Sequence, residues 1–300
     1  MKFGKLEDIS GVEFQLPPDP KDPSPHLATL PERDKAIYLG GTMWNIRPWK
    51  ETLYPPGTRI KDFPIAYCQQ FGTIELNATH YKIHPPQTIA KWEGYAPEGF
   101  KFCPKFPNLI SHYRQFLNVD GLTDEFLTAV QSFGPKLGPC FLQLPPRYSP
   151  KHAGKLQTYL RSLPRDMDFS VEFRHEDWFT DHPHAVATWN LLEELGMGSV
   201  ISATAGRRDA LHMRLTSRFL LLRFGGYELH PSDTERWKQW TERLVRWMDA
   251  GLREVHILMH QPDSILTPES CKIWGELLRE ATGLEVKLPR PRAAASTTLF

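Results

Sequence analysis

Short apolar runs alternate with amphipathic segments over most of this chain. Eight of the runs have the length of β-strands, and the segments between them repeat apolar residues at helical spacing. The predicted strands cover residues 37–41, 73–77, 100–105, 140–144, 169–174, 199–203, 219–224 and 255–260. The predicted helices cover residues 60–71, 86–93, 123–133, 150–162, 183–195, 232–250 and 268–281. Strands that alternate with helices in this way indicate a parallel sheet covered by helices.

The number and spacing of the strands predict an α/β fold of the TIM type, a (β/α)8 barrel over residues 36–288. Residues 204–218 are too few and too polar for a complete helix with two loops, so we expect the sixth helix to be reduced or missing. The alternative is a doubly wound open sheet. The chain has no G-x-G-x-x-G after the first strand and no G-x-x-x-x-G-K-[ST], which disfavours a nucleotide-binding sheet of that kind.

The two ends of the chain lack either periodicity. Residues 1–35 include six prolines between Pro17 and Pro31, which predicts an extended, Pro-rich N-terminal arm. Residues 289–300 form a predicted C-terminal tail. Each end either frays or lies along the domain, and fraying is the simpler expectation.

Composition and charge restrict the class of protein. The 36 Lys and Arg residues nearly balance 35 Asp and Glu, which argues against a nucleic-acid partner that is bound through a basic surface. No apolar stretch approaches the roughly 20 residues of a membrane helix, and the N-terminus has no secretory h-region. The four scattered cysteines include no C-x-x-C pair and are typical of free thiols in a reducing compartment. We therefore expect a cytoplasmic protein without a membrane partner.

Polar side chains alternate with apolar ones in several predicted strands. In the fifth strand, Val171 and Phe173 suit the helix layer, whereas Ser170, Glu172 and Arg174 face the barrel interior. Further inward polar side chains near the ends of other strands are Glu75, Asn77, Lys105, Gln143, Arg223 and His260. Barrel enzymes assemble their sites at the carboxyl ends of the strands, so this pattern predicts a ligand site there. The alternative is a set of internal ion pairs that brace the barrel.

Other candidate chemistry is weaker. His182 and His184 have a metal-ligand spacing, but they follow Asp181 at the start of a helix, where a capping turn is the better explanation. We predict no metal and no cofactor, because Glu75 and Glu172 are too few carboxylates for a divalent-metal barrel. Nothing like G-x-S-x-G occurs, and no Ser-His-Asp or Cys-His set can be assigned.

Several motifs, in order, resemble the YecE-like family, known as domain of unknown function 72. These are GGTMW at 40–44 with Trp49, ELNATHY at 75–81, KFP at 105–107 with Ser111-His112, LGP at 137–139, QLPP at 143–146, and VEFRH at 171–175 with Trp178. Two strand ends depart from the family pattern: the seventh strand reads RFGG at 223–226 in place of the usual Arg-x-His-Gly, so the histidine is absent, and His260-Gln261 replaces Asn-rich sequence. A third departure is His80 in place of the usual Phe. The resemblance implies a TIM-type barrel with a pocket and supplies no reaction.

The leading hypothesis is a small-molecule pocket at the carboxyl ends of the strands. Lys105, Arg174 and Arg223 would hold an anionic or carbonyl-bearing ligand. Glu75 and Glu172 would be the acid and base of a metal-independent hydrolase or isomerase that acts on an anionic or polyhydroxyl substrate. The remaining candidate ligand-binding residues are Trp44 and Trp49, as an aromatic wall, with Asn77, His112, Gln143 and His260. The alternatives are a nucleic-acid processing enzyme, by analogy of fold alone, and a non-catalytic ligand-binding scaffold.

Overall fold

The computed structural model describes residues 3–292 of the chain, and all eight predicted strands are present in it. They are β1 (Ala36–Gly41), β2 (Thr73–Leu76), β3 (Lys101–Pro104), β4 (Cys140–Gln143), β5 (Phe169–Glu172), β6 (Gly198–Ala203), β7 (Phe219–Gly225) and β8 (Glu254–His260). Each observed strand begins and ends close to the apolar run that predicts it.

The helices lie between the strands, as the amphipathic segments predict. They are α1 (Ser24–Leu27), α2 (Trp49–Thr52), α3 (Phe63–Gln70), α4 (Ala78–Tyr81), α5 (Pro86–Glu93), α6 (Asp120–Val130), α7 (Ala153–Ser162), α8 (Pro183–Glu194), α9 (Pro231–Asp249) and α10 (Thr267–Thr282). Between β6 and β7 the chain forms only a short 3₁₀ turn, Arg208–Ala210. The predicted loss of the sixth helix is therefore confirmed.

The strands form one parallel sheet in the order β3-β2-β1-β8-β7-β6-β5-β4. Its two edge strands approach each other through isolated bridges that pair Phe102 with Leu137 and Lys105 with Phe141. The amide of Gly138 donates to Phe102 O at 2.7 Å, and the amide of Phe106 donates to Phe141 O at 3.0 Å. The sheet is thus a nearly closed barrel, and the TIM-type fold is confirmed.

A small apolar layer fills the barrel interior. It consists of Cys103, Phe141, Val200, Leu221 and Leu258, all of which are buried. Each lies two residues before a polar residue on the same strand, so its side chain points the same way one step deeper in the barrel. The polar residues at the carboxyl ends of the strands therefore lie directly above this apolar layer, which we call the apolar floor. We call this end of the barrel the mouth.

The N-terminal arm lies along the barrel between the β6–β7 connection and α9. The amide of Leu6 donates to Tyr227 Oη at 3.1 Å. Farther along the arm, Asp19 forms ion pairs with Arg243 and Arg246 of α9, at 2.7 and 2.9 Å. The arm therefore covers the side of the barrel where the sixth helix is missing.

Apolar residues also anchor the arm. Leu16 and Leu27 are buried, and the carbonyl of Leu27 accepts a hydrogen bond from Arg218 Nε at 2.7 Å. The described part of residues 1–35 therefore packs along the barrel, the second of the two expectations for this arm, and does not fray. Residues 1–2 of the predicted arm lie outside the described residues, and so do residues 293–300 of the predicted tail.

The described part of the predicted tail is short but has partners. The amide of Arg290 donates to Gln70 Oε1 at 2.9 Å, and the amide of Arg292 donates to Thr52 O at 2.6 Å. Within residues 3–292, no helix combines the length and apolar character needed to span a membrane.

The packing of the arm can be tested by truncating its buried leucine. Leu27→Ala is expected to lower the free energy of unfolding by about 2–5 kcal/mol, because the substitution leaves a cavity between the arm and the barrel. Leu117→Ala is the control, since the Leu117 side chain is 50% exposed. Urea unfolding of both variants beside the parent measures the difference. Equal stability of Leu27→Ala and the parent would contradict the packed arm.

Candidate functional site at the barrel mouth

A cavity of about 540 Å³ opens at the carboxyl ends of the strands. Seven of the predicted site residues line it: Glu75, Asn77, Lys105, Gln143, Arg174, Arg223 and His260. They come from six different strands or strand ends, and the alternation of side chains along each strand brings them together. The predicted convergence of polar residues at this end of the barrel is present in the structure.

Arg223 links two carboxylates across the mouth. It donates from Nε to Glu75 Oε2 at 2.9 Å and from Nη2 to Glu75 Oε1 at 3.0 Å. Its Nη1 donates to Glu172 Oε1 at 2.7 Å. The three side chains are at most 3% exposed. One buried guanidinium thus connects β2, β5 and β7 through charge-assisted hydrogen bonds.

Neutral side chains complete the hydrogen bonds of Glu75. Asn77 Nδ2 donates to Oε1 at 3.0 Å, and His260 Nε2 donates to Oε2 at 2.9 Å. Each oxygen of Glu75 accepts two hydrogen bonds, one of them from Arg223. Glu75 is therefore fully occupied by residues of the chain itself.

The hydrogen bonds of Glu172 are concentrated on one oxygen. Besides Arg223, Oε1 accepts from Ser202 Oγ at 2.9 Å and from Arg174 Nε and Nη2 at 3.3 and 3.2 Å. Glu172 Oε2 is buried and has no hydrogen-bond partner among the described residues. The carboxylate is held in place from one side only.

The facing cations keep both carboxylates ionised. Burial by itself raises the pKa of a carboxyl group, but opposite charges and hydrogen bonds to the charged form lower it. Against the effect of burial, Arg223 and His260 hold the pKa of Glu75 well below its usual value. Similarly, Arg174, Arg223 and Lys105 lower the pKa of Glu172 to about 2. Neither group holds a proton near neutral pH, so neither can donate one as a general acid.

Lys105 differs from the other charged residues of the mouth, because its ammonium group has no ion pair or hydrogen bond with any described residue. Its Nζ lies 5.8 Å from the centre of the Phe141 ring, and the residue is 7% exposed. Burial and the nearby Arg223 lower the pKa of Lys105 to about 8, although Glu75 and Glu172 oppose the shift. The mouth therefore contains a titratable amine whose charge is poorly compensated.

Three histidines near the mouth are neutral at physiological pH. Burial lowers the pKa of His80, His112 and His260 to about 4, and the charge of Lys105 adds to this effect on the first two. The rings of His80 and His112 lie 5.2 Å apart. These side chains offer hydrogen-bonding nitrogens rather than charge.

The prediction that Trp49 forms part of an aromatic wall at the mouth is wrong. Trp44 does not form such a wall either. Trp49 is 1% exposed, stacks against Tyr67 and donates from Nε1 to Ile265 O at 3.0 Å. Trp44 packs on Trp92, with ring centres 5.8 Å apart. Neither lines the mouth cavity, because both rings find apolar partners in the layer outside the strands.

Two further predicted residues lie beside the cavity without lining it. Glu172 is 0% exposed and acts on the cavity through Arg174 and Arg223. His112 hydrogen-bonds Ser111 Oγ through Nδ1 at 2.8 Å and reaches the mouth only through His80.

Some residues of the site were missed by sequence reasoning. Ser202 points inward in β6 next to Glu172, a position that strand alternation by itself would have identified. Met43 lines the cavity from the loop after β1, and His80 and Tyr81 line it from α4. The alternation of side chains along a strand does not apply to these positions, so only the surrounding motif could have drawn attention to them.

A Cys-His pair that the sequence did not reveal lies deeper in the barrel. His256 Nδ1 lies 3.6 Å from Cys103 Sγ, and its Nε2 lies 2.8 Å from Glu254 Oε1. These contacts raise the pKa of His256 to about 9 despite its burial. Cys103 and His256 are 0% exposed, and Cys103 belongs to the apolar floor. The pair is enclosed and has no access to a substrate.

The remaining histidine motif is a helix cap. His182 Nδ1 accepts from the amide of His184 at 3.2 Å at the start of α8, which confirms the capping turn. Over residues 3–292, no group of three or more His, Cys, Asp or Glu side chains is arranged to hold a metal ion.

Comparisons with known proteins agree with the motifs. The model of the family described as protein of unknown function DUF72 matches residues 38–294. The UPF0759 protein YecE of Escherichia coli K12 is 28% identical over 262 residues, which cover 81% of this chain and 93% of that protein. The UPF0759 protein YunF of Bacillus subtilis 168 is 30% identical over 153 residues, 48% of this chain and 52% of that protein.

A solved structure has a similar fold. The crystal structure of a DUF72 family protein from Enterococcus faecalis V583 superposes with a TM-score of 0.65 and 16% identity. The match covers 86% of this chain and 99% of the other. At this identity the likeness supports the barrel fold and says nothing about the ligand.

Removing the charge of Glu172 tests its role in the ion pairs. Glu172→Gln is expected to lower the free energy of unfolding at pH 7 by about 3 kcal/mol, because Arg174 loses its buried partner. The folded-state pKa of about 2 lies below the ordinary 4.5, so this contribution is complete above pH 4.5 and is lost as the pH falls toward 2. Urea unfolding at pH 7 and at lower pH measures it, with exposed Glu125→Gln as the control. A variant as stable as the parent at pH 7 would contradict the ion-pair role.

Replacing Lys105 by an apolar residue of similar length is expected to have the opposite effect. Lys105→Met should raise the free energy of unfolding at pH 7 by about 2 kcal/mol, because the folded protein holds the proton of Lys105 less tightly than the unfolded chain. This gain in the free energy of unfolding should shrink as the pH rises from about 8 toward 10.5, because Lys105 of the parent loses its proton in the unfolded chain as well. Exposed Lys151→Met is the matched control. A loss of stability in Lys105→Met would show that the ammonium is compensated in the folded protein.

Proposed function

This chain belongs to the DUF72 family of proteins of unknown function, and from its own mouth residues we propose that it binds a small molecule with an anionic group. Membership of this family does not by itself indicate that the protein binds an anion. The ligand would occupy the mouth cavity, with its anionic group between Lys105 and Arg174.

The observation that carries this proposal is the uncompensated charge of Lys105. The mouth contains three cations, Lys105, Arg174 and Arg223, against two carboxylates, Glu75 and Glu172. Since Arg223 is committed to both carboxylates, the excess positive charge falls on the other two cations. A carboxylate or phosphate would supply the missing partner, and a guanidinium recognises either group with directional hydrogen bonds.

Arg174 is placed to take part in binding. Its side chain is 13% exposed, lines the cavity, and uses Nε and Nη2 for Glu172, which leaves Nη1 for a ligand. Phe3 of the arm covers the same guanidinium, with its ring centre 4.7 Å from Arg174 Cζ. This contact fixes the side chain in position from the outer side of the mouth.

The rest of the ligand would meet neutral groups. Asn77, Gln143 and His260 line the cavity and suit hydroxyl groups, as on a polyhydroxyl molecule. We assign Glu75 and Glu172 to positioning Arg223 and Arg174, since the oxygens of both carboxylates accept hydrogen bonds from these guanidinium groups. Hydrolysis that needs a protonated carboxylic acid is the reaction class that this arrangement supports least.

Anion binding to the two cations provides the test. We expect calorimetric titration with inorganic phosphate, and separately with malonate, to detect binding by the parent. Arg174→Gln should weaken binding of the preferred anion by about tenfold or more, which corresponds to about 1.4 kcal/mol. Arg161→Gln, which removes an exposed arginine paired with Glu194, is the control and should bind like the parent.

Two results would overturn the proposal. One is that neither phosphate nor malonate binds to the parent at millimolar concentration. The other is equal binding by Arg174→Gln and the parent, which would place the anion elsewhere on the protein.

A further inference from the structure

Lys105 combines three features that seldom occur together in one lysine. It lies at the carboxyl end of β3, it lines a cavity large enough for a small molecule, and it is almost completely buried. Its Nζ has no ion pair or hydrogen bond within residues 3–292, and it lies 5.8 Å from the centre of the Phe141 ring in the apolar floor. A lysine that served only to brace the barrel would be expected to contact a carboxylate.

We propose that Lys105 is an amine nucleophile that forms an imine with the carbonyl carbon of a small anionic aldehyde or ketone. This inference rests on the proposed function and deepens it, since Arg174 would bind the anionic group of the same molecule. The substrate class is therefore a carboxylated or phosphorylated carbonyl compound.

The surroundings of Lys105 favour the unprotonated amine. Charged groups face Lys105 from three strands: Glu75 from β2, Glu172 and Arg174 from β5, and Arg223 from β7. Two neutral histidines, His80 and His112, approach it from the segments that follow β2 and β3. The carboxylates are already bound by the guanidinium groups, so they compensate little of the ammonium charge. Burial and neighbouring cations are the two conditions that activate a lysine as a nucleophile.

The step balances without an oxidant or reductant. The lone pair of the deprotonated Nζ attacks the carbonyl carbon, and the carbonyl π electrons move to oxygen, which takes up a proton while the nitrogen gives one up. The resulting carbinolamine loses that oxygen as water when it receives a second proton. Overall, an ammonium and a carbonyl compound give an iminium ion and one water, with no net change in charge.

The charge of the iminium ion is compatible with the site. The carboxylates of Glu75 and Glu172 are already held by guanidinium groups, so the anionic group of the bound substrate itself compensates the cation that forms. The apolar floor below excludes water from the inner side of the C=N bond. An imine in this position would be shielded from water on that side.

Reductive trapping with glyoxylate tests the inference on the full-length protein. Glyoxylate carries an aldehyde and a carboxylate, and cyanoborohydride converts its imine into a stable carboxymethyl group on Nζ. Peptide mapping by mass spectrometry should show Lys105 labelled at least tenfold faster than Lys101, the control on the same strand whose Nζ donates to Pro135 O. Labelling of exposed lysines with Lys105 unmodified would overturn the inference.

The pH dependence adds a second readout. Labelling of Lys105 should rise to half of its maximum near pH 8, whereas an ordinary lysine titrates near pH 10.4. Acetaldehyde, which lacks the anionic group, should label Lys105 more slowly, and Arg174→Gln should reduce the rate with glyoxylate but not with acetaldehyde. Equal rates with the two aldehydes would contradict the role of Arg174.

Measuring anion binding and labelling on the same parent protein separates this inference from the proposed function. Lys105→Arg keeps a cation in the mouth but has no amine that can form an imine, so it is the labelling control and should lose the label at this position. If the parent binds the anion and Lys105 is not labelled, the imine is refuted and the proposed function stands. If Lys105 is labelled by both aldehydes and neither phosphate nor malonate binds, the anion site is refuted and the nucleophile stands.

Discussion

The buried guanidinium of Arg223 determines the arrangement of the mouth. It holds Glu75 by two hydrogen bonds and Glu172 by one, and all three side chains are removed from water. Removing any one of them would leave an uncompensated charge in the interior, which costs more than the pair itself contributes. Both carboxylates are therefore fixed in position and in ionisation state, and strands from opposite sides of the barrel are joined.

This arrangement leaves the ammonium group of Lys105 without an ion pair or hydrogen bond in the part of the chain that the structure describes. The chain could have compensated its ammonium with a third carboxylate, yet the structure surrounds it with Arg223, Arg174 and neutral histidines. Proteins tolerate such destabilising arrangements mainly where a ligand compensates for them, so the cost itself points to function. Bracing by ion pairs and the proposed ligand binding, which the sequence offered as alternatives, thus involve different residues of the same layer.

The N-terminal arm has a structural role that is unusual for a proline-rich segment. It covers the side of the barrel where the sixth helix is missing, and Phe3, near the start of the arm, packs against Arg174 at the mouth. Proline fixes the backbone in an extended form, so such a segment loses little entropy when it packs along a surface. The arm therefore connects the stability of this side of the barrel to the position of Arg174, a residue of the proposed anion site.

Local patterns in the sequence determined the strands, the reduced sixth helix and the inward direction of the polar residues, because side-chain alternation along a strand is a property of the backbone. The pairing of Arg223 with both carboxylates was decided only in the tertiary structure, since Glu75, Glu172 and Arg223 are far apart in the chain. The same holds for Trp49, which was expected at the mouth and lies among Tyr54, Tyr67 and Phe71 instead. The alternation in a strand determines which way a side chain points, but only the nearly closed barrel determines which charges meet and which amine has no partner among residues 3–292.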